Sequence, residues 1–240
     1  DNRGVYWSAG DSITSYLSTS IISGNDGSCF DIVDHSELLV NNLGLACATG
    51  SKPTVESSFV NFTDSGFIPG TGHETTFHLE SSSHVRWISS SPISDPTFTS
   101  SDNILDIMWF IEVHAVNQLL RHIPYAEVNL SFSSWEADYS STLPYYGFDT
   151  LGPYVGSRWL PSQGWSTDNT VNLGCDYDGV HNDSTPMTLD DDLVAYCQLE
   201  LTNQPPFIIW STPEDEAEYP SGSSVTFDAR QSWDLDNDEL

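Results

Sequence analysis

Basic residues are nearly missing from this chain. Six Lys and Arg stand against 35 Asp and Glu, giving a formal net charge of −29, and Lys52 is the one lysine. A field that negative repels phosphate backbones and anionic lipid heads, so nucleic acid and membrane surfaces are disfavoured as partners. It also repels itself, which favours salty surroundings or bound divalent cations. Long apolar runs are missing too. The longest block, Ile104 to Val116, contains Asp106 and Glu112 and is too short to span a bilayer. No signal-peptide pattern opens the chain, so a mature protein starting at Asp1 is expected, without membrane insertion of its own and with any anchor beyond Leu240.

The usual catalytic signatures are also absent. There is no GxSxG, no Gly-rich phosphate loop and no CxxCH. The nearest zinc-protease pattern, His73-Glu74 to His78, has an i+5 spacing and reads as strand, whereas two His on one helical face need i+4. Glu112 and Glu136 lie in otherwise apolar strands, but an outward-facing strand carboxylate explains both. The chain is therefore expected not to be an enzyme.

What is present is a folded, strand-forming composition: 38% hydrophobic, 12% aromatic and rich in Ser and Thr. Apolar residues alternate with polar ones at period 2 over 12–22, 55–63, 74–80, 126–139 and 193–201. Glu37–Leu45 reads as an apolar turn, and Val85–Ser89 as the hairpin partner of Glu74–Glu80. Asn103–Asn117 is the strongest strand, apolar on one face and half apolar on the other, and belongs in the middle of a sheet. Residues 141–188 show little strand signal and read as a long loop. No internal repeat is evident. Many short strands without crossover helices predict an all-β, antiparallel sandwich over 1–202, jelly-roll-like or lectin-like.

Four cysteines, Cys29, Cys47, Cys175 and Cys197, occur without any CxxC and so read as two disulfides of an extracellular protein. Sequence order favours Cys29–Cys47 and Cys175–Cys197, though three connectivities are open. Each sequential pair would stabilise the fold by roughly 3 kcal/mol. Asp176, Asp178 and Asp183 surround a glycine and offer a hard cation its oxygen ligands, with calcium the candidate; solvated acidic loops are the plainer reading. Tyr154, Trp159 and Trp165 lie in an aromatic stretch, 145–165, able to stack on sugar rings, to pack internally or to meet a neighbouring subunit. Asn61, Asn129 and Asn182 begin Asn-x-Ser/Thr sequons and are candidate glycosylation sites.

From residue 203 the character changes. Pro205-Pro206 breaks any ladder, and the short apolar strand Phe207, Ile208, Ile209, Trp210 follows. Pro205-Pro206, Gly222, Val225, Phe227-Asp228-Ala229, Ser232 and the run from Asp234 to Leu240 resemble the opening third of a PKD domain, an Ig-like sandwich module of extracellular proteins. Arg230 and Gln231 stand where that family usually has small residues. The resemblance implies a modular secreted or surface protein, in a style similar to archaeal surface-layer and filament proteins. Asp234, Asp236 and Asp238 form a second candidate calcium ladder. A third of a sandwich cannot bury Phe207, Ile209 and Trp210, so these are expected to contact another subunit by strand addition. The leading expectation is thus a structural or adhesive surface protein that associates with itself or its neighbours. A carbohydrate-binding module is the alternative.

Overall fold

The computed structural model describes residues 6–8, 14–24, 30–34, 37–48, 52–68, 73–90, 93–167, 169–183, 186–201, 218–226, 228 and 232, with side chains described from residue 30 onward, those of 73 and 74 excepted. The chain is all-β, and its described residues include no helix.

The first half winds in successive coils, each with a short strand, a corner and a longer strand. They are β1 (Tyr6–Ser8) with β2 (Thr14–Gly24), β3 (Asp31–Val33) with β4 (Glu37–Ala48), and β5 (Thr54–Glu56) with β6 (Phe59–Thr63) and β7 (Gly66–Phe67). Then come β8 (His73–Glu74), β9 (His78–Glu80) and β10 (His84–Ile88), and last β11 (Thr97–Phe98) with β12 (Ile104–Asn117). The short strands stack in the order β1-β3-β5-β9-β11 and the long ones as β2-β4-β6-β10-β12, every neighbouring pair parallel. This is a β-solenoid. Its repeat is structural, one coil per roughly 20–25 residues, although no sequence repeat announces it.

Inward side chains stack from coil to coil. Ile32, Val55, Leu79 and Phe98 form one column; Leu38, Val60, Val85 and Leu105 another; Val40, Phe62, Trp87 and Ile107 a third. Phe62, Phe67, Phe77 and Trp87 meet at centroid distances of 5.2–5.6 Å and fill the interior.

The corners explain the serine content. A coil's backbone cannot complete the parallel ladder where it turns, so side chains of the next coil complete it. The Ser58 N–H donates to Ser83 Oγ (3.4 Å), the Ser83 N–H to Asn103 Oδ1 (2.7 Å), and Asn103 Nδ2 to the Leu79 carbonyl (2.9 Å), all buried. A second column links Leu43, Ser65 and Ser90 at 3.1 and 3.0 Å. Asp34, Ser57, Asp64, Ser82 and Ser89 take the left-handed conformation at these bends.

The second half is a two-layer sandwich built from β13 (Glu127–Phe132), β14 (Tyr139–Thr142), β15 (Phe148–Leu160), β16 (Gly164–Ser166), β17 (Thr170–Tyr177), β18 (Val180–Asp183), β19 (Met187–Thr188) and β20 (Leu193–Leu199). One layer is the second half of β12 between β15 and β20, and the other is β14-β13-β17-β18 with β19. Ile111, Val113, Val128, Leu130, Leu173 and Leu199 lie in their shared core, and Cys175 of β17 is bonded to Cys197 of β20 across it, Cα to Cα 6.1 Å. Cys47 is also disulfide-bonded; Cys29 lies outside the described residues.

Several sequence expectations are corrected here. Antiparallel pairing holds for β12-β15-β16, for β13, β14, β17, β18 and β19, and for β8 on β4, but the two solenoid stacks and the β12–β20 pair are parallel. Glu37–Leu45 is not a turn but the body of β4. Val85–Ser89 does not pair back on 74–80; β10 instead lies between β6 and β12. Alternation reports which face is buried and carries no information about the partner strand, so a coil and a hairpin read alike. The stretch 141–188 is not a loop: it holds the end of β14 and all of β15 through β19. Glycines, Pro153 and aromatics break its period, because β15 serves both cores and slips register opposite Phe110.

The central placement of Asn103–Asn117 holds. β12 pairs with β10 along its first part and β20 along its second, with β15 on its other side. On its outer face Asp106, fully buried, receives Arg158 Nε and Nη2 at 2.6 and 2.9 Å and meets His84 Nε2 at 2.7 Å. Burial pushes its pKa up, but the His84 and Arg158 hydrogen bonds outweigh that and hold it below the ordinary carboxylate value.

Two outcomes follow. Asn103→Ala orphans the Ser83 N–H, while the Leu79 carbonyl keeps the Thr99 N–H, and should destabilise by about 1–3 kcal/mol in urea denaturation. Asp106→Asn leaves Arg158 uncompensated and should cost about 3–5 kcal/mol at neutral pH. Because the folded pKa lies below the unfolded one, that advantage of the wild type is complete above about pH 4 and should shrink as pH falls further.

Candidate functional site

A cleft of about 490 Å³ opens where the last solenoid coil meets the sandwich. From the solenoid come Trp87 of β10 and Ile107 of β12, members of the same inward column. Trp109 follows on β12, Ser157 lies on β15 and Trp165 on β16; Ser89, Ser90, Ile93 and Thr167 complete the wall. Across it runs the acidic turn Asp190, Asp191, Asp192 between β19 and β20. The lining thus combines indoles, hydroxyls and carboxylates.

Each part is held. Trp165 Nε1 donates to Asp95 Oδ1 at 2.7 Å, tying β16 to the turn before β11. Asp192 Oδ1 accepts the Phe110 N–H at 2.7 Å and the Ser89 hydroxyl at 3.0 Å, anchoring the acidic turn to the irregular stretch of β12. Asp191 Oδ1 accepts the Asp192 N–H at 2.8 Å. Asp190 and Asp191 stay exposed. Gly156 permits the approach: a Cβ there would collide with the Leu189 carbonyl and lie 2.7 Å from Trp109 Cδ1.

Of the expected aromatic binders, only Trp165 lines this cleft. Trp159 stacks on Phe98 (centroids 4.1 Å apart, planes 9°) and packs against the solenoid core. Tyr154 lies against Phe132 and Tyr139, and burial, with Tyr139 and Glu136 nearby, pushes its pKa up to about 12. Trp87, Trp109 and Ser157 were missed. Trp87 and Trp109 signalled only through period 2, which marks a strand and not a cleft wall, and Ser157 lies where the period is broken.

The other candidates lie apart. Asp178 forms the tight β17–β18 turn with Gly179, while His181 lies between Asp176 (3.8 Å) and Asp183 (3.3 Å). Among the described residues no group of three or more His, Cys, Asp or Glu is placed to hold a metal ion. Asp234, Asp236 and Asp238, like Phe207, Ile209 and Trp210, lie outside the described residues. Asn129 is exposed in β13, Asn182 donates its Nδ2 to the Gln198 carbonyl at 2.7 Å, and Asn61 is half-buried in β6. Glu136 accepts the Val155 N–H at 2.9 Å, and Glu112 meets His114 at 2.6 Å. His114 in turn bonds His122 at 2.9 Å, whose pKa burial and that neighbour hold down.

No family model matches the chain, its PKD-like stretch included, and no curated protein or solved structure matches it either. No helix among the described residues is long and apolar enough to cross a membrane.

Gly156→Ala forces apart β15, Trp109 and the Leu189 backbone. It should destabilise by about 1–3 kcal/mol, the cost of overpacking, and quench or shift tryptophan fluorescence as Trp109 moves.

Proposed function

We propose that this chain is a non-enzymatic, extracellular structural or adhesive protein whose junction cleft holds a sugar ring. The cleft carries the reading. Sugars present an apolar C–H face and a ring of hydroxyls, and Trp109 and Trp165 supply aromatic surface while Asp190, Asp191, Ser157 and Thr167 supply acceptors and donors. A volume of about 490 Å³ suits one or two sugar rings. The Cys175–Cys197 bond and the scarcity of cations fit an oxidising, saline exterior. The sandwich and solenoid supply a stiff carrier, and adhesion through this cleft unites the structural and carbohydrate-binding readings.

The test is a glycan array probed with the wild type, Trp165→Ala and Asp191→Asn. A defined set of neutral glycans should bind the wild type, and each variant should lose about tenfold or more in affinity while remaining folded by circular dichroism at the assay temperature. Absence of any bound glycan, or retention by both variants, refutes the cleft reading. Release of new reducing ends from a bound glycan refutes the non-enzymatic part.

A further inference from the structure

The outer face of the solenoid's long sheet, opposite the interior that leads to the cleft, carries Asn61, Arg86, Asp106 and Arg158 in one row across four strands. In a chain with six Lys and Arg against 35 acids, two arginines therefore share one sheet face. Their situations differ. Both oxygens of Asp106 are engaged by Arg158 and His84. Arg86 lies directly in register with Asp106, whose ion pairs are with His84 and Arg158. Its guanidinium rests on the Phe59 ring, 4.8 Å from the centroid, and its Nε is shielded and unbonded. The neighbouring Asn61 Oδ1 is likewise shielded without a partner. An arginine without a carboxylate partner among the described residues, beside an unsatisfied amide oxygen, pairs an anion-binding fork with a hydroxyl acceptor.

We propose that Arg86 and Asn61 form a binding site for a carboxylate-bearing sugar, a uronic acid in chemical class. The carboxylate takes the Arg86 fork in the two-bond geometry that guanidinium favours, and an adjacent ring hydroxyl donates to Asn61 Oδ1. A cation–π contact is weaker than a two-bond carboxylate pair, so a carboxylate can draw the fork off Phe59 and satisfy Nε as well. A polyphosphate would feel the full negative field, whereas a single carboxylate in contact range is little affected once salt shortens the Debye length to a few ångströms, about 3 Å at 1 M. The site is on the opposite face of the sheet from the cleft and does not depend on it.

The experiment is calorimetric or saturation-transfer titration of the full chain with sodium glucuronate and, in parallel, glucose. Glucuronate should bind about tenfold or more tightly than glucose, whose binding is at most that of the cleft. Arg86→Gln should weaken glucuronate binding about tenfold or more, Arg86→Lys by less, and Trp165→Ala should leave it unchanged. Equal binding of both sugars, no binding of glucuronate, or indifference to Arg86→Gln overturns the proposal. Should Arg86→Gln fail to fold, the Arg86→Lys comparison decides in the same way. Sedimentation of the protein alone adds one more outcome. Self-association abolished by Arg86→Gln would assign the site to an acidic side chain of a second copy and overturn the sugar-acid reading.

Discussion

Everything in this molecule hangs on one strand having both backbone edges occupied. β12 closes the solenoid through β10, opens the sandwich through β20, and meets β15 along its other side. A solenoid ends in an exposed sheet edge that invites other chains. Here β15 covers that edge in antiparallel register, so the last coil and the first sandwich layer are a single sheet. The irregular pairing around Trp109 to Ile111 turns the strand from one core to the other. It also frees the Phe110 N–H for Asp192, and the cleft forms at that transition.

Electrostatics follow the same division. Among the described residues Asp106 is the one buried carboxylate, and it lies at the centre of the shared sheet paired with Arg158 from β15. That ion pair crosses the β12–β15 seam, so it discriminates between a docked and an undocked β15 more than it adds net stability. The polar columns at the coil corners act similarly. Serines and one asparagine satisfy backbone groups that an apolar corner would leave bare.

The sequence disclosed the strands and the buried faces, because period 2 is a direct record of which side chains meet the core. Val60 and Phe62, Leu105 and Ile107, Val128 and Leu130 alternate as expected. Parallel stacking stayed hidden because Ile32, Val55, Leu79 and Phe98 occupy equivalent places without resembling one another, and corner lengths vary from coil to coil. β15 was illegible for a different reason: Gly152, Pro153 and Gly156 are dictated by close approach and irregular pairing, and they erase alternation. The cysteine spacing pointed to Cys175–Cys197. The cleft was half legible, since Trp165 stood out in an aromatic stretch whereas Trp87 and Trp109 looked like ordinary core.

The corner columns have a mechanical consequence. Each coil touches only the coils on either side, so the rod behaves as springs in series, and its stiffness falls as coils are added. The sandwich is different: its layers are riveted by Cys175–Cys197 and cannot slide apart while that bond holds. Under tension along the chain, yielding should therefore begin in the solenoid coils beyond β4, whose Cys47 is itself disulfide-bonded, while the junction and its cleft remain intact beside the riveted layers. A chain of that kind lengthens under load before its junction opens.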